Sequence, residues 1–197
     1  HGKSEKSPGC TQCHGTHGIL SPADKAPDCG ACHARQARQH ARSLHGQAAA
    51  RGDKLAPTCA DCHGSHEILP ADDRQAMTAV MNVPVLCGRC HQEGSPVTLN
   101  REIHQDHVLE NYSMSIHGEG LYRQGLTVTA VCTSCHTAHD ILPHTDKRSS
   151  IHHDNVAATC SSCHGQIEQV HQKVIEGRLW ETEPHKIPAC VDCHAPH

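Results

Sequence analysis

The sequence is poor in the large apolar side chains from which protein cores are usually built. It has no Phe, two Tyr and one Trp in 197 residues, and its mean hydropathy is −0.56. Aromatic residues normally supply much of the buried area of a domain, so this chain lacks the material for an ordinary core. We therefore expect a mainly irregular and α-helical fold, with short helices and little or no sheet, built around something besides its own side chains.

The sequence also lacks a long apolar run and an excess of basic residues, which argues against a membrane span and against nucleic acid as a partner. No apolar run approaches the roughly 20 residues that a transmembrane helix needs, so no membrane span is predicted. Seventeen Lys and Arg stand against 21 Asp and Glu, which gives a formal net charge of −4. A chain that binds nucleic acid would show a basic footprint instead, so nucleic acid is not an expected partner.

Cysteine and histidine are present in excess. All 14 cysteines form C-x-x-C pairs, and each pair is followed directly by histidine. The seven sites are Cys10/Cys13/His14, Cys29/Cys32/His33, Cys59/Cys62/His63, Cys87/Cys90/His91, Cys132/Cys135/His136, Cys160/Cys163/His164 and Cys190/Cys193/His194. C-x-x-C-H attaches c-type haem, because both thiols bond one porphyrin edge and the histidine becomes the proximal iron ligand. We predict seven covalently attached haem c groups that form the core.

Three other uses of paired cysteines fit less well. Zinc sites built from C-x-x-C pairs need neither the histidine nor an odd number of pairs. A thioredoxin-like redox motif is normally single and lies next to a βαβ pattern, which this sequence lacks. A disulfide framework gives no reason for a histidine at the same offset seven times.

The remaining histidines predict the sixth ligand of each iron. Seven of the 22 histidines are proximal ligands, and a chain of ordinary composition would contain only about four or five in all. Three methionines (Met77, Met81 and Met114) cannot serve seven irons. We therefore expect bis-histidine ligation throughout, with low to moderate reduction potentials because methionine ligation raises them.

Two types of motif alternate along the chain. First-type motifs continue as C-x-x-C-H-x-x-H and contain the pairs His14/His17, His63/His66, His136/His139 and His194/His197. Second-type motifs, at Cys29, Cys87 and Cys160, lack that second histidine. A Ser-x-His-Gly segment precedes the next first-type motif at His45 and again at His117, and the chain opens on His1-Gly2. We predict one multihaem domain of about three and a half two-haem units, residues 1–44, 45–116, 117–184 and 185–197.

This repeat predicts distal ligands in order along the chain. We expect each His-Gly histidine to serve the next first-type haem, and each x-x-His to serve the next second-type haem. The six ligands are then His1, His17, His45, His66, His117 and His139. The seventh haem would take His171 or His185, because Glu176-Gly177 stands where His-Gly is expected. His197 is left to cap the haem of a neighbouring molecule, to continue into a missing segment, or to lie in solvent.

Histidines outside the repeat are expected to play other roles. His40 aligns with Tyr112, so the repeat requires a bulky residue at this position and not a ligand. His104, His107, His144, His152 and His153 belong to no repeating pattern. We also expect each C-x-x-C-H to open a helical turn, with longer helices over 99–117 and 163–180 and loops over 46–57 and 70–83.

These elements resemble the multihaem c-type cytochromes of anaerobic and metal-reducing bacteria, in which C-x-x-C-H-x-x-H and Ser-x-His-Gly alternate. The resemblance covers nearly the whole chain. It implies closely stacked haems that conduct electrons, in a protein located outside the cytoplasm (periplasmic, extracellular or at the cell surface). The implied partners are redox proteins or neighbouring copies of the same chain, in a soluble carrier or in an extracellular cytochrome filament, a nanowire.

An enzymatic alternative stays open at this point. A multihaem oxidoreductase of the nitrite or hydroxylamine type needs one iron with an open position. The sequence contains no C-x-x-C-K, and only Tyr112 and Tyr122 could form a tyrosine cross-link to haem. Histidines outnumber the required ligands, so we expect electron transport and not catalysis, with no catalytic residues.

Overall fold

The described part of the chain is helical. The computed structural model describes residues 8–16, 27–101, 103, 105, 107–175, 190–195 and 197, with backbone alone for 167–175 and 193. Within these residues there is no strand. The helices are α1 (Cys10–His14), α2 (Ala34–Arg42), α3 (Leu44–Ala50), α4 (Cys59–His63), α5 (Val83–His91), α6 (Pro96–Asn100), α7 (Val108–Met114), α8 (Ile116–Tyr122), α9 (Cys132–His136), α10 (His153–Ile175) and α11 (Cys190–Cys193), with a 3₁₀ turn at Cys29–Ala31. The predicted mainly α-helical class is confirmed.

The backbone groups into two compact units, His1–His104 and Gln105–His197. The first unit carries the four motifs from Cys10 to Cys87, and the second carries the three from Cys132 to Cys190. The predicted division into two-haem units within one domain stays a prediction.

Side chains bury little apolar surface against one another in either unit. The buried apolar residues of the first unit are small: Ala76, Ala79, Val83 and Pro84. Those of the second unit are Tyr112, Leu121, Val131, Leu142 and Val156. Larger apolar side chains elsewhere face outward, with Leu99, Ile116 and Val128 exposed by 73%, 76% and 87%. Such thin packing agrees with a core built from something other than side chains.

A ladder of tight turns connects α4 to α5. Asp73, Ala76, Ala79 and Asn82 each donate a backbone hydrogen bond to the carbonyl three residues earlier, beginning at Pro70, at 2.7–3.0 Å. The Asn82 side chain closes the ladder by donating to the carbonyls of Arg74 and Ala76. The second unit repeats the same ladder before the second-type motif at Cys160, through Pro143, Asp146, Ser149, His152 and Asn155.

Several predicted boundaries are wrong. The single helix expected over 99–117 is three helices, because His107 adopts a left-handed conformation (φ 56°) and Ser115 is extended (φ −73°, ψ 161°). The loop expected over 46–57 begins with helix, since α3 continues to Ala50. The helix expected over 163–180 is part of α10, which bends at His164 (φ −106°, ψ 28°), while residues 176–180 lie outside the described residues. The loop expected over 70–83 is confirmed as the turn ladder up to residue 82.

Candidate functional site

First-type motifs open helices because the residue before the second cysteine caps the helix. In each of α1, α4 and α9 this side chain accepts a hydrogen bond from the backbone N–H of the residue that precedes the first cysteine. The acceptor–donor pairs are Gln12–Gly9 at 2.6 Å, Asp61–Thr58 at 2.7 Å and Ser134–Val131 at 3.1 Å. Both cysteines then lie within one helical turn, with the motif histidine next in sequence.

Second-type motifs behave differently. The motif at Cys29 forms only a 3₁₀ turn, the one at Cys87 ends α5, and the one at Cys160 precedes the bend of α10 at His164. At the capping position the first two carry Ala31 and Arg89, whose side chains cannot accept a hydrogen bond. The expectation that every motif opens a helix is therefore correct for first-type motifs and wrong for Cys87 and Cys160. An acceptor at this position does not by itself mark a helix start, because Ser162 of the Cys160 motif stands there and donates to the Thr159 carbonyl instead.

The motif at Cys29 forms a 3₁₀ turn in place of an α-helix. The turn ends at Ala31, so Cys32 lies just beyond it, and its N–H donates to the Cys29 carbonyl at 3.3 Å. Ala31 offers no capping acceptor for a longer helix. The Cys32 side chain is exposed.

Other predicted attachment points are exposed as well. Polypeptide does not cover the side chains of six predicted thioether cysteines, which are Cys10, Cys13, Cys29, Cys32, Cys59 and Cys163. The physical reason is the shortage of large apolar side chains, which leaves little to pack over a thiol. Exposure leaves these cysteines as predicted attachment sites, since a thiol must be reachable before it can bond a porphyrin.

Four motif histidines each lie opposite a second histidine. The pairs, with the distance between ring centres and the angle between ring planes, are His14–His66 (5.9 Å, 10°), His45–His91 (6.1 Å, 44°), His117–His164 (6.0 Å, 42°) and His136–His197 (6.0 Å, 14°). A bond from a metal to an imidazole nitrogen is about 2 Å and that nitrogen lies about 1 Å from the ring centre, so two axial imidazoles on one iron have centres about 6 Å apart. All four pairs have the spacing that bis-histidine ligation of haem iron requires.

The pairing order differs from the one predicted along the chain. His66 was expected to serve the haem of His91, but it lies opposite His14. His45 was expected to serve the haem of His63, but it lies opposite His91. The ring pairs therefore differ from the predicted order at these sites. The turn ladder lies between His45 and His91 in sequence, whereas His66 pairs with a motif that precedes it.

The second unit departs from the predicted order in the same way. His117 lies opposite His164 instead of His136, and His197, which the sequence left over, lies opposite His136. A common rule covers both units. The Ser-x-His-Gly histidine faces the next second-type motif, and the x-x-His of a first-type motif faces an earlier first-type motif.

Four of the paired histidines have a lowered pKa, which favours their neutral form. Burial, and after it the neighbouring His91 and His40, lowers the pKa of His45 to about 4. Burial also lowers the pKa of His91 and His197, while burial and then His164 lower that of His117. Neutral imidazole keeps the lone pair that a metal ligand must offer.

The Ser-x-His-Gly segment begins a helix and fixes the position of its histidine. Ser115 caps α8 by accepting from the Gly118 N–H at 3.2 Å, and it donates to the Tyr112 carbonyl at 2.7 Å. A Cβ on Gly118 would lie 2.0 Å from that carbonyl oxygen, so only glycine allows α7 and α8 to approach so closely. Ser43 and Gly46 repeat both features, with a Cβ on Gly46 only 1.9 Å from the His40 carbonyl oxygen. The motif thus fixes His45 and His117.

Ser115→Ala is expected to destabilise the protein by about 1 kcal/mol, because the N-cap acceptor of α8 is lost. The measurement is thermal or denaturant unfolding of the protein carrying its cofactors. Ser113→Ala is the matched control, since the Ser113 hydroxyl only donates back to the Leu109 carbonyl within α7 and contributes little. Equal stability of the two variants would contradict the capping role.

His40 and Tyr112 share a structural role. The His40 Nε2 lies 3.3 Å from the Pro57 carbonyl oxygen, and the Tyr112 hydroxyl donates to the Ala130 carbonyl at 3.0 Å. Each carbonyl lies two residues before the first cysteine of a first-type motif, Cys59 or Cys132. This geometry confirms the expectation that the repeat needs a bulky residue here. Burial raises the pKa of Tyr112 to about 12, which keeps its hydroxyl protonated as a donor.

His40→Tyr is expected to preserve the spin state of every iron and to leave stability within about 1 kcal/mol, because tyrosine already fills this position in the second unit. Optical and EPR spectra of the oxidised protein provide the measurement. His45→Ala is the contrasting variant, and it should produce one high-spin iron. A high-spin signal from His40→Tyr would instead make His40 a ligand.

Some predicted ligands fall outside these observations. His1, His17 and His185 lie outside the described residues, and only the backbone of His171 is described, within α10. His104, which the repeat did not include, also lies outside them. Distal partners for His33, His63 and His194 therefore stay predictions, as does the ligand role of His139. His153, which the repeat did not include, lies with Nε2 3.3 Å from a carboxylate oxygen of Asp192 inside the last motif.

None of the thirteen cysteines whose side chains the structure describes forms a disulfide. Among the described residues, no group of three or more His, Cys, Asp or Glu side chains converges as a metal-ion site. The recurring arrangement is instead two histidine rings with centres 5.9–6.1 Å apart, one of which directly follows a C-x-x-C pair in sequence.

Comparison of the chain with protein-family models, with curated proteins and with solved structures gave no match in any of the three. Within the described residues, no helix combines the length and the apolar character that crossing a membrane requires.

Proposed function

We propose that this chain is an electron-transfer protein that holds seven covalently attached c-type haems, each with two histidine ligands. The observation that carries the proposal is the set of four imidazole pairs at 5.9–6.1 Å, each made of one motif histidine and one distant histidine. Histidines so far apart in sequence have no local reason to meet at this spacing. A shared iron between the two rings gives that reason.

The first unit supports a continuous route between sites. Burial raises the pKa of the Cys29 thiol, and the Cys59 thiol, with which it shares a hydrogen bond, raises it further. Burial likewise raises the pKa of Cys62, with smaller contributions from Asp61, Cys59 and Cys90. The attachment points of the second, third and fourth motifs are therefore neighbours.

A histidine pair joins the remaining site of this unit. His63 is the proximal residue of the third motif, and His66, three residues later, lies opposite His14 of the first motif. Because three residues span at most about 10 Å, the first and third sites must lie side by side. The Cys59 motif is thus the central site of the first unit.

The second unit repeats this arrangement. Burial raises the pKa of Cys135, and the thiols of Cys132 and Cys163 add to the shift, so the fifth and sixth attachment points are neighbours. His197 lies opposite His136 and follows His194 by three residues, which brings the seventh site beside the fifth. The Cys132 motif is the central site here.

In this proposal the cofactor supplies the redox chemistry, and the protein residues bind and position it. A c-type haem, when bound, supplies one-electron redox chemistry at its iron. The paired histidines would both hold the iron, so the same residues would bind it in both oxidation states. The C-x-x-C thiols fix the position of each site relative to its neighbours. Such an arrangement favours electron transfer and leaves no room for substrate at the four paired sites.

The chain is proposed to work outside the cytoplasm, as a carrier or as a subunit of an extracellular cytochrome filament. Its partners would be redox proteins or further copies of itself. A filament requires a head-to-tail contact that does not close into a ring. Electron microscopy distinguishes the two forms, because a carrier gives small separate particles and a filament subunit gives extended polymers.

EPR spectroscopy of the oxidised protein tests the proposed function. Seven low-spin ferric irons are expected, since each has two histidine ligands. A high-spin ferric signal equal to one iron per chain would favour the alternative, a multihaem oxidoreductase with one open site. Neither Tyr112 nor Tyr122 is needed in the proposal, and Tyr122→Phe should leave the spectrum unchanged.

A further inference from the structure

Thr137 adopts a backbone conformation with positive φ, and glycine occupies the equivalent position after the first and third motifs. It directly follows the motif histidine His136, with φ 64° and ψ 173°. The matching residues after the first and third motifs are Gly15 (φ 77°, ψ 179°) and Gly64 (φ 76°, ψ −178°). A β-branched residue is disfavoured in this region. A Cβ on Gly64 would meet only Met77 Sδ at 3.9 Å and the Glu67 carbonyl oxygen at 4.0 Å. The backbone, and not a lack of space, thus favours glycine.

The Thr137 hydroxyl adds a second unfavourable feature at the same residue. Its Oγ1 is buried and has no hydrogen-bond partner among the described residues. Among the described residues, one other buried side-chain nitrogen or oxygen lacks a hydrogen-bond partner, and it is Nδ1 of His197. His197 pairs with His136, the residue that directly precedes Thr137 in sequence. A buried hydroxyl without an acceptor is costly, so the threonine needs a compensating contact.

We infer that Thr137 is a cofactor-binding residue whose hydroxyl donates a hydrogen bond to a haem propionate. This inference rests on the proposed function. The polar groups that a c-type haem brings into such a site are its two propionate carboxylates. A hydroxyl bonded to a carboxylate is a strong, charge-assisted donor. The bond offsets the negative charge near the iron, which favours the reduced state and raises the reduction potential of that haem.

Three substitutions in the full chain with its haems test this inference. Thr137→Val keeps the branched shape but removes the donor, Thr137→Ser keeps the donor, and Thr137→Gly removes the donor while relieving the backbone. In a potentiometric titration followed by haem absorbance, Thr137→Val and Thr137→Gly should shift about one seventh of the amplitude to lower potential. The titration curve of Thr137→Ser should superimpose on that of the unchanged protein. Thr137→Gly should also unfold at a higher temperature than Thr137→Val.

Superimposable titrations of Thr137→Val and the unchanged protein would overturn the inference, as would an equal shift in Thr137→Ser. Haem content, measured on every variant as the pyridine complex, separates this failure from failure of the proposed function. Seven haems with unshifted potentials would remove only the role of Thr137. Absence of haem from the unchanged protein would overturn both. Repeating Thr137→Val in a Cys160→Ala/Cys163→Ala background locates the acceptor. A retained shift assigns the propionate to a haem other than the sixth, and a lost shift assigns it to the sixth.

Discussion

Gly118→Ala is expected to convert one of the seven proposed haem irons to high spin and to destabilise the protein by about 3 kcal/mol or more. The new Cβ would lie 2.0 Å from the Tyr112 carbonyl oxygen and 2.7 Å from the Ser113 Cα, both backbone atoms that no side-chain rotation can move. Helix α8 must therefore shift away from α7. His117, the preceding residue, moves with it and loses its place opposite His164.

Gly120→Ala is the matched control in the same helix. A Cβ there would meet the Thr129 side chain at 3.4 Å, an ordinary contact distance, and alanine favours helix over glycine by about 1 kcal/mol. We expect this variant to keep seven low-spin irons and at least the original stability. If Gly118→Ala matched Gly120→Ala in spectrum and unfolding, the close approach of α7 and α8 would be wrong. Gly46→Ala should repeat the effect at His45.

His66→Ala is expected to produce a high-spin signal equal to one iron per chain, because its opposing residue His14 loses its axial partner. The haem affected should be the one attached at Cys10 and Cys13. Order along the chain predicted the haem of Cys87 and Cys90 instead. The two pairings therefore make different predictions for the same substitution.

A double substitution separates the pairings. In a Cys10→Ala/Cys13→Ala background, which cannot attach the first haem covalently, His66→Ala should add no high-spin iron. A new high-spin signal in that background would show that His66 serves another haem, and the geometry around His14 would be contradicted. His40→Ala in the same background is the control, since His40 bonds the Pro57 carbonyl and is expected to give no spin change.

The sequence was sufficient to predict the α-helical class and the structural role of His40, because each depends on local spacing or on alignment of repeats, and the seven haem sites are predicted on the same basis. It was not sufficient to pair the histidines. A histidine three residues after a motif, such as His66, is compatible with several motifs, and its partner depends on how the chain between the motifs folds. His197 shows the same limit, since nothing near it in sequence points to His136.

Local conformation was also only partly predictable. The apolar stripe over residues 99–117 favours one helix, but the left-handed His107 and the extended Ser115 interrupt it. Ser115 offered a usable signal, because serine three residues before a tightly packed glycine is typical of an N-cap. No comparable signal precedes His107. Cys32 is a further case, since an identical C-x-x-C-H spacing gives a helix at Cys59 and only a 3₁₀ turn before Cys32.

The difference between these motifs has a readable cause in the sequence. Gln12, Asp61 and Ser134 are capping acceptors at the position before the second cysteine, where the Cys29 motif carries Ala31. Comparison of the motifs at this one position could have separated α1, α4 and α9 from the motifs at Cys29 and Cys87, because only a side chain with an acceptor can bond the N–H before the first cysteine. It could not have separated the motif at Cys160, where Ser162 stands at the same position.

The intact mass of the purified protein under denaturing conditions tests the central claim most directly. Thioether bonds survive denaturation, so the protein matured outside the cytoplasm should weigh 21.3 kDa plus the mass of seven haems. Cys10→Ala/Cys13→Ala should lower this mass by one haem, apart from the change in side chains. A mass equal to the polypeptide alone, with the 14 cysteines as thiols or disulfides, would contradict the account.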